Sequence, residues 1–294
     1  VMVPVSKQKV DSEKLFEVVK SAQEKFNIPV FSTETGYSKT GIDLGSNYFK
    51  INKKVKLAML IGDGVSSYEA GEVWHLLDTR VHIPLTKIRL NQFNRTSLDK
   101  YTTLVMVSGT YNQITEVGIK KIKDWVERGN TLITIGTASS WAIKKKIVKE
   151  SLVETKKDTI FSRKRYIDAR EYSGRERIGG SILKADLDLT HPLTFGYRDK
   201  SIPVYKNNNV FLDKSKSHYS SVAMYSKNPH MDGYVSKNNI ENNLKGSASL
   251  IVSGLGSGRV VLFADNPNFR GTWYGTNKLF LNAIFFGANI SVPK

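Results

Sequence analysis

From residue 56 onward, short continuous apolar runs alternate with segments whose apolar residues recur at helical spacing. Residues 56–61 read as a buried strand. Residues 67–78 read as a helix presenting Ala70, Val73, Trp74 and Leu77. Further strands are predicted at 82–88, 104–108 and 130–135. A helix over 115–128 turns Ile119, Ile122 and Trp125 inward and stops at Gly129. Buried strands separated by helices predict a doubly wound α/β sheet. After Trp141 the rhythm gives way to a charged, Tyr-rich stretch with strand-like pieces at 180–187 and 220–225. This predicts an insertion or antiparallel extension around residues 142–247, with long exposed loops across the Asn-, Lys- and Ser-rich 206–243. Regularity returns with strands at 248–253 and 259–264 around a glycine-rich hairpin turn, and with a closing helix at 277–286.

The first fifty residues carry a different pattern. A strand at 1–5, an amphipathic helix at 12–26 with Leu15, Val18, Val19, Ala22 and Phe26 on one face, and a strand at 29–33 predict a small βαβ appendage. Gly36, Gly41 and Gly45 punctuate the polar stretch that follows. The expected domains are therefore 1–52 and 53–294. The opening Val1-Met2-Val3-Pro4-Val5 lacks the basic leader and small-residue cleavage pattern of a signal peptide, so the chain is expected to be a segment of a longer polypeptide.

Composition narrows the chemistry. A chain of 294 residues with 40% apolar content can bury a large core. No apolar run reaches the roughly 18 residues of a membrane-spanning helix, so no membrane span is expected. The absence of cysteine removes disulfides, thiolate zinc sites and a cysteine nucleophile. The net charge of +17 invites a nucleic acid or acidic glycan partner, but the excess lies between +1 and +4 in every block of about fifty residues. A charge so spread mainly confers solubility. The local runs Lys144-Lys145-Lys146 and Arg163-Lys164-Arg165 are the places where a basic patch could form.

Motifs with chemical meaning are incomplete. Gly62-Asp63-Gly64 between strand and helix lacks the third glycine and the downstream acid of a dinucleotide site, and reads as a tight turn capped by Ser66 or Ser67. The five histidines are scattered. His75 and Asp78 share a helical face without a third ligand, and His191 is expected to satisfy backbone groups, so no metal site is assigned. The strand-to-helix slot for a nucleophile elbow is present, but it holds Gly136 and Thr137, with Ser139 expected to cap the helix. No catalytic residue is assigned. The loop after the last strand is the richest polar and aromatic cluster. Asp265, Asn268, Arg270 and Trp273 are its candidate ligand or interdomain contacts, the plainer expectation being a buried Asp265–Arg270 bridge.

The segments KLAMLIGDGVSSYEAGEVWHLL (56–77), TLITIGTASSWA (131–142) and, most specifically, GRVVLFADNPNFRGTWYGTNKLFLNAIFF (258–286) resemble the C-terminal region of bacterial zinc carboxypeptidases of the carboxypeptidase-A-like type. The resemblance covers nearly the whole chain. It implies a flavodoxin-like, class I glutamine amidotransferase-like domain that follows a peptidase domain. That family's His-x-x-Glu zinc pair does not occur here, and the amidotransferase Cys and His–Glu pair have no counterpart. The zinc and the chemistry are therefore expected in an upstream peptidase domain of the same polypeptide. This chain is expected to hold no cofactor and to act as a scaffolding or substrate-access module in a periplasmic or extracellular setting.

Overall fold

A computed structural model of the chain describes residues 2–154, 163 and 165–291. They form two compact units, Val1–Ile51 and Asn52–Lys294. In the first unit, helix α1 (Ser12–Phe26) is capped by Asp11, which accepts a hydrogen bond from Lys14 N at 2.8 Å, and it ends at Asn27 with φ 50°. The two strands expected around it do not form; residues 2–4 and 29–33 carry no ladder, and Val1 lies outside the described residues. The predicted βαβ appendage is thus a single helix between irregular segments. Val and Ile favour extended backbone, but a strand is held by its neighbour's hydrogen bonds, and no neighbour is present. No residue of α1 is buried; Val18 and Phe26, placed by periodicity on its apolar face, are exposed.

The second unit is built on nine strands: β1 (Leu57–Ile61), β2 (Leu85–Arg89), β3 (Thr103–Met106), β4 (Thr131–Ile135), β5 (Ser181–Leu187), β6 (Ser201–Lys206), β7 (Ser221–Gly233), β8 (Ala248–Leu255) and β9 (Gly258–Phe263). They form one sheet in the order β2-β1-β3-β4-β9-β8-β7-β5-β6. The first five are parallel, and β8, β7, β5 and β6 continue the sheet antiparallel as a wing. The helices are α2 (Ser67–His75), α3 (Glu116–Glu127), α4 (Thr137–Lys144), α5 (Ala169–Arg175) and α6 (Tyr274–Phe286).

Alternation along the parallel strands divides the core in two. Leu57 and Met59 belong to one apolar cluster with Val73 and Leu77 near α2 and Phe280 of α6. Ala58 and Leu60 belong to the other, with Ile119, Ile122 and Trp125 of α3 and Trp141 of α4. Both faces of β1, β3, β4 and β9 are therefore buried, whereas the edge strand β2, Leu-Thr-Lys-Ile-Arg, buries only Ile88. The fully buried Trp125 keeps its indole N–H satisfied by Leu98 O at 2.9 Å.

Two expectations are corrected. Trp74 is not a core residue: it is 45% exposed, with the Lys87 amine 4.0 Å from its ring centroid. Helix α2 buries Ala70 and Val73 and then widens into a π-helical turn, Leu76–Val81, that buries Leu76 and Leu77. The second correction concerns 206–243, which is not mainly loop. It contains the thirteen-residue β7 and a π-helical turn at Asn239–Leu244. The strand expected at 220–225 is the start of β7; its polar, mostly exposed second half carries it on to Gly233.

The β8–β9 hairpin closes through Gly256, at φ 57°, and Ser257. A Cβ on the neighbouring Gly258 would lie 1.9 Å from Val126 O and 2.4 Å from Asn130 O, both backbone atoms that cannot swing away. Gly258→Ala should therefore cost about 3 kcal/mol or more in urea unfolding. Gly275→Ala, whose Cβ meets nothing within 4 Å in α6, should be neutral or stabilise by a few tenths to about 1 kcal/mol.

Candidate functional site

The carboxyl ends of β1, β3, β4 and β9 form the edge of an open α/β sheet where ligands commonly sit. Here that edge is closed by the protein itself. The β1–α2 and β3–α3 loops are tied together by Thr110 N to Gly64 O and by Ser66 N to Ser108 O, both 2.8 Å. Ser66 also caps α2, accepting from Glu69 N at 3.4 Å. Glu69 in turn reaches across the crevice and accepts from Ser108 N at 2.8 Å.

The elbow after β4 keeps its shape without its chemistry. Gly136 sits at φ 57°, ψ −123°, a left-handed strand-to-helix turn of the strained kind on which hydrolase nucleophiles are mounted. A Cβ there would lie 2.3 Å from Ser108 Oγ, so the space for a nucleophilic side chain is already filled. Thr137 beside it donates its amide to Ser108 Oγ at 3.2 Å and accepts from Gly109 N at 2.9 Å through its hydroxyl. Ser139 is not the helix cap that the sequence suggested. It lies inside α4, fully buried, donating to Phe263 O at 2.8 Å and 2.9 Å from Thr134 Oγ1. Gly136, with no side chain, occupies the cap position.

The loop after β9 is likewise inward-looking at its start. Asp265 is buried, and it pairs with Lys206, not with Arg270 as expected: Lys206 Nζ lies 3.1 Å from Asp265 Oδ1. The same carboxylate accepts from Tyr225 Oη at 2.8 Å and from Ser249 Oγ at 2.6 Å. Lys206 completes its donors with Val210 O at 2.7 Å and Asn208 Oδ1 at 3.4 Å. Burial pulls the Lys206 ammonium below its ordinary range, against the attraction of Asp265, and pushes the Tyr225 phenol well up.

Arg270 contributes its backbone: its N–H donates to Glu72 Oε1 at 2.6 Å, while its own φ is 52° and its guanidinium lies 5.3 Å from the Phe269 ring. Asn268 is fully buried and accepts from Asn277 Nδ2 at 3.0 Å. Trp273 donates to Pro203 O at 3.3 Å beside Tyr205. The four candidates therefore do not converge on one cleft: Asp265 and Asn268 knit the loop to the core, and Arg270 and Trp273 lie on its outer side.

The remaining groups are dispersed. Among the described residues no three His, Asp or Glu side chains are placed to hold a metal ion. His75 lies against Gly271, and Asp78 offers its carbonyl to His82 Nδ1 at 2.9 Å. His191 accepts from Leu193 N at 3.1 Å. Of the basic runs, Lys145 faces Glu116 at 3.6 Å, and Lys164 lies outside the described residues.

Sequence reasoning missed Lys206, Tyr225, Glu69 and Glu72. Lys206 had a readable signal: it follows Ile202 and Val204 on the inward phase of an alternating strand, where a lysine must find a buried partner. The glutamates had none, because their partners, the Ser108 and Arg270 backbone amides and the Asn266 side chain, are brought in by other loops.

Solved structures with the same architecture include PurLQS from Thermotoga maritima (15% identity, TM-score 0.53, covering 78% of this chain and 97% of that one). Another is a ThuA-like protein from Parabacteroides merdae (12% identity, TM-score 0.51, covering 82% and 92%). A glutamine amidotransferase from Thermotoga maritima is more distant, with TM-score 0.43 and 11% identity over 78% of this chain and 81% of that one. At these identities the likeness to the first two shows the fold alone, a flavodoxin-like α/β sheet like that of the ThuA-like protein. No family model matches the chain, and no curated protein matches it in sequence.

Two outcomes follow from the buried groups. Lys206→Met should cost roughly 3 to 5 kcal/mol by leaving Asp265 buried without its cation. Adding Asp265→Leu should recover part of that loss. Burial raises the Glu69 carboxyl above 4.5, against the Ser108 N–H that stabilises its charge, and the charge of Glu72 adds to the rise. A raised folded pKa favours the protonated form, so its contribution is complete below about pH 4.5 and is lost as pH rises through the folded value. Glu69→Gln, which keeps an acceptor for Ser108 N, should flatten that fall in a pH series of unfolding midpoints.

Proposed function

We propose that Asn52–Lys294 is a non-catalytic accessory module of an exported zinc carboxypeptidase polypeptide, serving as a scaffold or shaping access to the peptidase cleft. The observation that carries this reading is Gly136: the turn that would present a nucleophile is intact, yet the Ser108 hydroxyl occupies the place of its side chain. A chain that keeps the expensive backbone of an elbow and fills its mouth is using the fold for shape. The crevice hydrogen bonds from Ser66, Thr110 and Glu69 support the same conclusion, because they close the position where a substrate of this architecture would enter. The link to a zinc carboxypeptidase rests on the resemblance of 258–286. That segment is where β9, the Asp265 loop and α6 meet, so the resemblance covers a structural junction. In the Val1–Ile51 unit, the large apolar side chains of Phe16, Phe31, Ile42 and Ile51 are each exposed, and another part of the polypeptide would cover them.

The test compares the longer polypeptide, the same polypeptide lacking residues 53–294, and this chain alone, on peptides with free C-termini and with or without a zinc chelator. Chelator-sensitive cleavage should belong to the longer polypeptide and be absent from this chain. Removal of 53–294 should lower the peptidase domain's thermal midpoint or raise its KM several-fold. Unchanged stability and kinetics after removal, or cleavage by this chain alone, would overturn the reading.

A further inference from the structure

The sheet of Asn52–Lys294 ends differently on its two sides. At one end β6 carries Pro203, which has no N–H to offer, and the Pro203 carbonyl is already taken by the Trp273 indole at 3.3 Å. At the other end β2 is paired with β1 alone, and among the described residues no loop or side chain bonds its outer backbone. A row of unpaired N–H and C=O groups is a template for one more strand. Side chains decide which strand fits. Leu85, Lys87 and Arg89 alternate onto one face of β2, and Thr86 and Ile88 onto the other. Lys87 and Arg89 are exposed, and among the described residues neither has a carboxylate within ion-pair distance. The Lys87 amine rests 4.0 Å from the Trp74 ring centroid, so α2 holds that charge beside the strand. Two such cations discourage a second copy, because antiparallel pairing of β2 with itself about its centre sets Lys87 against Lys87. The same cations attract a strand with carboxylates at alternate positions.

We infer that β2 takes up an extended segment of a partner protein as the tenth strand of the sheet. Acidic side chains at alternate positions of that segment lie beside Lys87 and Arg89, and β-branched ones between them lie beside Thr86 and Ile88. Backbone bonds to β2 supply the binding, and the two cations select the sequence. The β-branched positions suit a pleated, half-buried surface of the kind Ile88 already forms. The site is made by β2 and its neighbour α2 alone and does not depend on the peptidase reading.

The experiment is a titration of the isotope-labelled full chain followed by amide NMR and hydrogen exchange. The probe is N-acetyl-Thr-Val-Glu-Val-Glu-Val-Thr-amide. Its controls are the peptide with lysine in place of both glutamates, and the acidic peptide N-methylated at its five central residues, which keeps the charge but cannot pair. The acidic peptide should shift amides of 85–89 saturably and slow their exchange. It should bind at least about ten-fold more tightly than either control. The double variant Lys87→Glu, Arg89→Glu changes exposed side chains, so its spectrum away from β2 should stay intact, and it should prefer the lysine peptide. Equal binding of the N-methylated peptide would reduce the effect to adhesion of an acid to a basic surface and overturn the assignment. Shifts centred elsewhere, no saturable shift, or an unchanged preference in the double variant would overturn it too. Slow exchange of 85–89 without peptide, together with a dimer in sedimentation, would replace the acidic partner by a second copy.

Discussion

The carboxylate of Asp265 is the knot on which the sheet of Asn52–Lys294 is tied. It sits just past the end of β9, the last parallel strand, and it collects Lys206 from β6, Tyr225 from β7 and Ser249 from β8. Three antiparallel strands are thereby indexed against one point of the parallel core. Burying such a pair is costly in desolvation, and an apolar set of equal volume could hold as well. Its value lies in specificity: slip β6 by one residue and Lys206 turns to the opposite face, leaving Asp265 charged and alone. The bulges where β7 pairs with β5 and β8 make that indexing necessary, because regular ladder bonds alone do not define the wing's register.

The same principle, polar groups satisfied internally, accounts for what has become of the crevice. Ser108 is its centre. Its amide donates to Glu69, its carbonyl accepts from Ser66, and its hydroxyl accepts from Thr137 and lies where a side chain at Gly136 would be. Each bond removes a donor or acceptor that a substrate would need. The loop after β9 is held in the same manner, Glu72 gripping Asn266 and the Arg270 amide. Among the described residues the buried side-chain polar atoms left without a hydrogen bond are Thr131 Oγ1, Ser226 Oγ, Asn243 Oδ1 and Asn268 Nδ2, none of them in the network around Ser108.

Legibility in the sequence followed how local each cause was. The central parallel strands were readable because both their faces are buried: β1 is apolar throughout, and β4 varies only by the buried Thr131 and Thr134. Helix α3 was readable because Ile119, Ile122 and Trp125 repeat at its period and Thr115 caps it. The emptiness of the elbow was readable at Gly136, since the chemistry requires a side chain there. The strands expected at 1–5 and 29–33 misled because β propensity describes a residue's fit to a sheet and does not supply one. Trp74 misled because a large amphipathic ring fits the margin of a helix face as well as its centre, and Lys87 decided between them.

The sequence by itself determined the alternation of buried strands and helices, the hairpin at Gly256 and Ser257, and the absence of a nucleophile at position 136. These are set by side-chain periodicity and by glycine's freedom at positive φ, both properties of neighbouring residues. Only the tertiary structure decided that Asp265 pairs with Lys206, 59 positions away, that Glu69 ties the crevice loops through Ser108, and that the Arg80 guanidinium lies over the Tyr274 ring. Those pairings depend on which strand ends and loops the topology sets side by side. A charged residue's partner is chosen by that geometry, whereas its own identity records only that a partner is needed.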